Sequence, residues 1–192
     1  MGRQRKLQFI RSFPDRRIDE GIPMTISTIK RLSLQILSIT LLSGLLPLGA
    51  TAQTRIIFDT DMGNDVDDAL AMAMVPAFTS RGEAQLLAVT TTKDNRWVAP
   101  YIDIVDTFYG RPDIPIGVVK NGKTPKDSPM ISIPAQRRRP NGTPVYPHRL
   151  LDGRNAPEAV AVLRRILSQQ PDDSVTIVQI GFSTNLARLV QT

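Results

Sequence analysis

Five aspartates fall within ten residues of this chain: Asp59, Asp61, Asp65, Asp67 and Asp68. Carboxylates packed this closely repel one another unless a cation or a network of hydrogen bonds holds them. A hard divalent cation that prefers oxygen ligands, Ca²⁺ or Mg²⁺, suits such a donor set. The plain alternative is a solvated acidic turn at a helix start, where the macrodipole favours aspartate in its own right. The flanking residues weigh against that alternative. Ile56-Ile57-Phe58 precede the acids and read as a short buried strand, while Ala69-Leu70-Ala71-Met72 opens a helical pattern after them. The acids thus occupy the turn at the end of a strand and the first turn of the next helix.

The stretch Arg55–Met74 resembles the N-terminal signature of the inosine–uridine-preferring nucleoside hydrolase family, a strand followed by Asp-x-Asp-x-Gly-x-Asp-Asp-Ala. Asp59-Thr60-Asp61-Met62-Gly63 matches the first half, and Asp67-Asp68-Ala69-Leu70 matches the second. Asn64-Asp65-Val66 fills a space where the family usually has one residue, and Met62 replaces the usual proline. An ungapped match would put Val66 at the second paired aspartate, so the gapped match is preferred. Two later stretches fit the same family. Leu87–Thr91 with Asn95 is similar to the strand ending in an asparagine that contacts ribose hydroxyls. Gly181–Ala187, GFSTNLA, is similar to the segment whose threonine offers a backbone carbonyl to calcium. The plain readings are an Asx turn closed by Asn95 and a helix N-cap at Ser183-Thr184. Capping and carbonyl ligation use different atoms, so both can hold.

The resemblance implies hydrolysis of the N-glycosidic bond of a ribonucleoside. Asp61 and Asp68 would ligate Ca²⁺ together with the carbonyl of Thr184. Asp61 would take the proton of a water acidified by the ion. Asp67 and Asn95 would bind the ribose hydroxyls and support an oxocarbenium-like transition state. Asp59 is expected to brace the loop, and Asp65, in the insertion, has no assigned role. The resemblance runs from Arg55 to the C-terminus, whereas family members continue well past Thr192. The part beyond carries another calcium-ligating aspartate, further ribose contacts and, in several members, a histidine that protonates the leaving base. The expectation is a C-terminally incomplete sheet, marginal stability, and weak or absent activity of this chain alone. Two other readings compete. Phe58-Asp59-Thr60-Asp61 also looks like the Asp-x-Asp turn of a haloacid-dehalogenase-type Mg²⁺-dependent phosphatase, with Ser183 as its second motif. Gly63 and the Asp67-Asp68 pair do not fit that pattern. The other reading is a non-catalytic exported module that binds a sugar or nucleoside.

Alternating strands and helices must position these residues. Asp67 to about Phe78 reads as a helix with Leu70, Met74 and Phe78 on one stripe, kinked or ended early by Pro76. Gln85–Thr92 reads as a strand, Pro100–Tyr109 as a helix with Ile104, Val105 and Phe108 inward, and Ile114–Val119 as a strand. Pro157–Gln169 follows as a helix with Glu158 near its positive end and an apolar stripe of Val160, Leu163, Ile166 and Leu167. Ser174–Ile180 is a strand, and Thr184–Val190 opens a helix. This alternation predicts an α/β fold, an open, mostly parallel, Rossmann-like sheet with helices on both faces. Ligands in such sheets bind beyond the carboxyl ends of strands, where the acids, Lys93-Asp94-Asn95 and Gly181–Asn185 are expected to converge. Lys120–Asn155 carries six prolines and Arg137-Arg138-Arg139, and reads as a structureless lid or a disordered connection. Tyr146-Pro147-His148 would be a lid contact in the resembled family; His148, the sole histidine, reads as a surface or lid residue.

The charge is unevenly spread. Residues 1–52 hold 8 of the 24 Lys+Arg and 3 of the 18 Asp+Glu, leaving 16 basic against 15 acidic in the rest. A net charge of +1 over residues 53–192 is no footprint for a nucleic-acid backbone. Lys30-Arg31, the interrupted apolar stretch Leu32–Leu48 and Ala50-Thr51-Ala52 have the layout of a secretory signal peptide cleaved near Ala52/Gln53. The stretch is short and broken for a membrane span of about 20 residues. Residues 1–52 are therefore expected to be an extension plus export signal, and residues 53–192 the α/β domain, exported and without a stable membrane anchor. Without cysteine the chain has no disulfide, thiolate zinc site, lipid-anchored cysteine or cysteine nucleophile. The expected partner is a small nucleoside, and a homo-oligomer is compatible with everything above.

Overall fold

A computed structural model of the chain describes residues 53–191. The export signal read in residues 1–52 lies outside them. Four strands and five helices alternate: β1 (Thr54–Thr60), α1 (Asp67–Ser80), β2 (Ala84–Thr91), α2 (Val98–Phe108), β3 (Ile116–Val118), α3 (Pro129–Gln136), α4 (Ala159–Leu167), β4 (Val175–Gln179) and α5 (Thr184–Gln191). The strands form one sheet in the order β3-β2-β1-β4, and every pair is parallel. Among the described residues the sheet does not close on itself.

Side-chain alternation along β1 builds two cores. Phe58 points to one face and joins Met62, Met72, Val75, Leu86, Val89 and residues of α2 and α3. Ile57 points to the other and meets Ala88, Val162 and Leu163, with Leu186 and Leu189 of α5 packed alongside. Both residues are fully buried, at 0% and 1% exposure. Helices thus cover both faces, as a parallel sheet requires. Gly117 lets α4 approach β3: a Cβ there would lie 2.9 Å from the Cα of Ala159.

The chain order reverses at β1. Its α1 crossover leads to β2 on one side, and the strand reached last, β4, pairs on the other. The connections that follow β1 and β4 run to helices on opposite faces, and beyond these strand ends lies the crevice position in which such sheets usually take a ligand.

Four expectations are corrected. In α1, Leu70 and Met74 are 63% and 56% exposed, and the helix buries Asp68, Met72, Val75 and Pro76 instead. Periodicity shows that an apolar stripe exists but not which arc faces the sheet. Here the arc is set by Asp68, which receives the hydroxyl of Thr60. Pro76 does not end the helix, which runs on to Ser80. In α2, Phe108 is 80% exposed, because Asp103 and Asp106 take buried positions beside Ile102 and Ile104. The segment 120–155 is not structureless. It contains α3, which starts with proline at its first turn and buries Ile131, Ser132 and Ala135. It also contains an antiparallel bridge of Arg138 with Pro144 and a 3-10 turn at Gly153–Asn155. Smaller shifts occur at element ends. α4 begins at Ala159, with Glu158 as its cap accepting the N–H of Ala161 at 2.9 Å.

Candidate metal and active site

β1 delivers the acids to the crevice. Asp59, its penultimate residue, is fully buried. Its Oδ1 accepts from the Thr90 hydroxyl at 2.6 Å and the Asn185 amide at 2.8 Å, and its backbone carbonyl accepts the N–H of Ile180 at 2.9 Å. One residue therefore ties β1 to β2, to the loop after β4 and to α5. Burial pushes the Asp59 pKa up; the bonds from Thr90 and Asn185 oppose the rise, and repulsion from Asp61 adds to it. Among the described residues Asp59 Oδ2 has no partner.

Asp61 follows in a tight turn, closed by the N–H of Asn64 on the Asp61 carbonyl at 3.2 Å. Gly63 sits in that turn at φ +103°, and a Cβ there would strike the Ile131 side chain at 2.9 Å. Glycine meets both demands. The turn sends Asp65 back toward Asp61, while Asp68 enters from the first turn of α1. One carboxylate oxygen each from Asp61, Asp65 and Asp68 lie within 4.8 Å of one another.

The electrostatics of the group are unsettled. Burial pushes the Asp68 carboxyl up to about 7; the hydroxyl of Thr60 works against this, while Asp61 and Asp65 add to it. Its Oδ2 is buried without a partner among the described residues. A hydrogen bond between Asp65 and Asp67 raises the first and lowers the second. Buried polar atoms are nearly always satisfied, so an orphaned oxygen among like charges is unusual. A hard divalent cation fits on both counts: the donors are all oxygen, and a cation would satisfy the orphan and relieve the repulsion.

The two other loops do reach this place. A Cβ on Gly181 would lie 2.5 Å from the backbone N of Asp61, so only glycine lets the loop after β4 pack there. Thr92 donates its N–H to the Thr60 carbonyl at 2.8 Å. Lys93 is buried at 2% exposure, and its ammonium donates to Asn64 Oδ1 at 2.8 Å. Asn64 in turn donates to Asp61 Oδ2 at 2.5 Å. Burial lowers the Lys93 pKa, against the pull of Asp61 and Asp127.

The residues singled out from sequence are placed as follows. Asp61 and Asp68 come together, and Asp65, which had no assigned role, completes the trio. Asp67 is exposed at the start of α1. Thr184 is the first residue of α5, directly before Asn185. Asn95 closes an Asx turn with the N–H of Trp97 at 2.8 Å and donates to the Pro125 carbonyl at 3.0 Å. It lines a cavity of about 290 Å³ with Asp94, Val118, Lys120, Gly153 and Arg154, none of them from the acid cluster. His148 binds the Tyr146 carbonyl through Nδ1 at 2.6 Å. Tyr146 and Pro147 line a larger hollow, about 560 Å³, with apolar residues of α1 and α2. That hollow is lined by no carboxylate, lysine or histidine, so the chemistry lies with the aspartates. Asn64 escaped the sequence reading as a site residue, while Lys93 and Asn185 fall in the loops expected to converge there but carried no assigned role. The signal for Asn185 was present in GFSTNLA.

The inosine-uridine preferring nucleoside hydrolase family model matches residues 56–192. Among solved structures the chain is similar to a plant nucleoside hydrolase, with 27% identity and a TM-score of 0.44 over 72% of this chain. The chain spans 42% of that enzyme's length. No curated protein matches it. On the family match over most of its length, the chain belongs to the inosine-uridine preferring nucleoside hydrolase family.

Proposed function

We propose that the crevice is the ion-carrying part of a nucleoside hydrolase site, which cleaves the N-glycosidic bond of a ribonucleoside to ribose and free base. One observation carries the reading: three carboxylates converge beyond the carboxyl end of β1, and one of them keeps a buried oxygen unpartnered. Asp61, Asp65 and Asp68 would hold Ca²⁺, with the carbonyl of Thr184 as a further ligand. When bound, the ion supplies Lewis-acid activation of water at neutral pH. Asp61 takes the proton of the attacking water, and its bond from Asn64 fixes the plane of its carboxylate. Asp67, exposed at the crevice rim, binds ribose hydroxyls. Asn95 keeps a second amide N–H and a second Oδ1 lone pair beside its bonds to Pro125 and Trp97, and these would take a ribose hydroxyl. The phosphatase reading needs Asp59 as an accessible nucleophile, but Asp59 is fully buried and bound to Thr90 and Asn185.

The test is release of reducing sugar from inosine and uridine by the full chain, with Ca²⁺ and with a chelator. Slow release that needs Ca²⁺ and drops on the order of 10²–10⁴-fold in Asp61→Asn is expected. Release indifferent to both chelator and substitution would contradict the proposal. Export belongs to the same proposal. Its check is N-terminal sequencing of the exported protein, expected to begin near Gln53.

A further inference from the structure

Lysine is seldom fully buried, and when it is, a carboxylate usually lies against its ammonium. Lys93 is 2% exposed, yet its hydrogen-bond partner is the neutral amide of Asn64. An ammonium has donors only. It therefore fixes the orientation of that amide: the oxygen must face Lys93, and the NH₂ must face the other way. On that other side stands Asp61 Oδ2, 2.5 Å from Asn64 Nδ2. Asn64 itself is exposed and would otherwise be free to rotate or to turn to water. Lys93 is anchored at its own backbone by the Thr91 hydroxyl, which accepts its N–H at 3.1 Å. A rigid strand end thus reaches across to the turn that carries Asp61.

We propose that Lys93 is a positioning residue for the ion site, locking the amide of Asn64 and through it the carboxylate of Asp61. This rests on the reading that the acid cluster binds Ca²⁺. Groups one step removed from a metal orient its ligands, and their loss typically weakens affinity by about 10- to 100-fold. The relay also makes a prediction of sign. If Lys93 acted only as a nearby positive charge, removing it would strengthen cation binding. If it acts by orienting Asn64, removing it weakens binding.

The experiment is calorimetric titration of the full chain with Ca²⁺ in wild type, Lys93→Met, Asn64→Ala and the double variant, with metal-free thermal unfolding of each alongside. Each single substitution should weaken Ca²⁺ by about 10-fold, and the double no more than the worse single, because both break one chain of bonds. Tighter binding in Lys93→Met, or losses that add in the double variant, would overturn the relay while leaving the ion site intact. Asn64→Ala alters an exposed side chain, so it decides the matter even if Lys93→Met fails to fold: affinity within twofold of wild type overturns the relay. Absence of any Ca²⁺ binding by wild type overturns the ion site itself, and the relay with it.

Discussion

Asp103 in α2 and Asp68 in α1 are equally buried, at 1% exposure, yet their carboxylates are used in opposite ways. Asp103 Oδ2 accepts the backbone N–H of Arg149 at 2.5 Å and of Leu150 at 2.7 Å, and so clamps the end of the 120–155 segment onto α2. Asp68 receives one hydroxyl, from Thr60, and keeps Oδ2 bare beside Asp61 and Asp65. An acid that holds the fold together is satisfied by the chain. On the proposal above, the bare oxygen of Asp68, unlike that of the bracing Asp59, sits in the carboxylate trio that an ion would fill. Asp106 lies between the two cases. It is buried, its Oδ2 lacks a partner, and burial with repulsion from Asp103 pushes it up to about 7. No third carboxylate joins it, so a proton settles it where an ion would settle Asp68.

Asp68→Asn is expected to lower Ca²⁺ affinity at least about 100-fold, with ribose release falling on the order of 10²–10⁴-fold, in a chain that still folds. Asp103→Asn should leave the affinity unchanged, which calorimetry reads directly.

The next effect is a pH dependence of stability, of order a few kcal/mol in the metal-free protein. Asp68 and Asp106 both have folded pKa values of about 7 against an ordinary 3.8. The native state therefore holds more protons than the unfolded one between these values, and stability falls as pH rises from about 4 to about 7. Denaturant midpoints across that range should show the fall. Saturating Ca²⁺ should abolish the share of Asp68, and Asp106→Asn the share of Asp106.

Asp103→Ala should cost about 3 kcal/mol of unfolding free energy, because two backbone donors lose a charged acceptor. The readout is the urea midpoint. The smallest change in stability is expected from Gly181→Ala, about 1–3 kcal/mol, as its Cβ meets the backbone of Asp61 at 2.5 Å. The same variant should also weaken Ca²⁺, since the loop after β4 can no longer seat against that turn.

Much of this was legible in the sequence because it is local. The acids fall within ten residues, and the alternation of strands and helices along the chain predicts a sheet covered on both faces, as Ile57 and Phe58 facing different cores bear out. Pairing across distance was not legible. Lys93 meets Asn64 over 29 residues and Asn185 meets Asp59 over 126, and no spacing rule connects them. Asp65 was left without a role because its direction depends on the Asp61–Asn64 turn, which only Gly63 at positive φ permits. Helix α3 was hidden by its prolines. Pro129 in the first turn and Pro134 within an eight-residue helix read as breakers, whereas Ile131 and Ala135, four apart, were its usable signal.

The central contention is that Asp68 is kept unsatisfied for a divalent ion while Asp103 is not. Titrating Ca²⁺ into wild type, Asp68→Asn and Asp103→Asn side by side tests it most directly. A single site of equal affinity in wild type and Asp103→Asn, lost in Asp68→Asn, is the predicted result; equal affinities in all three, or no binding in wild type, would contradict it.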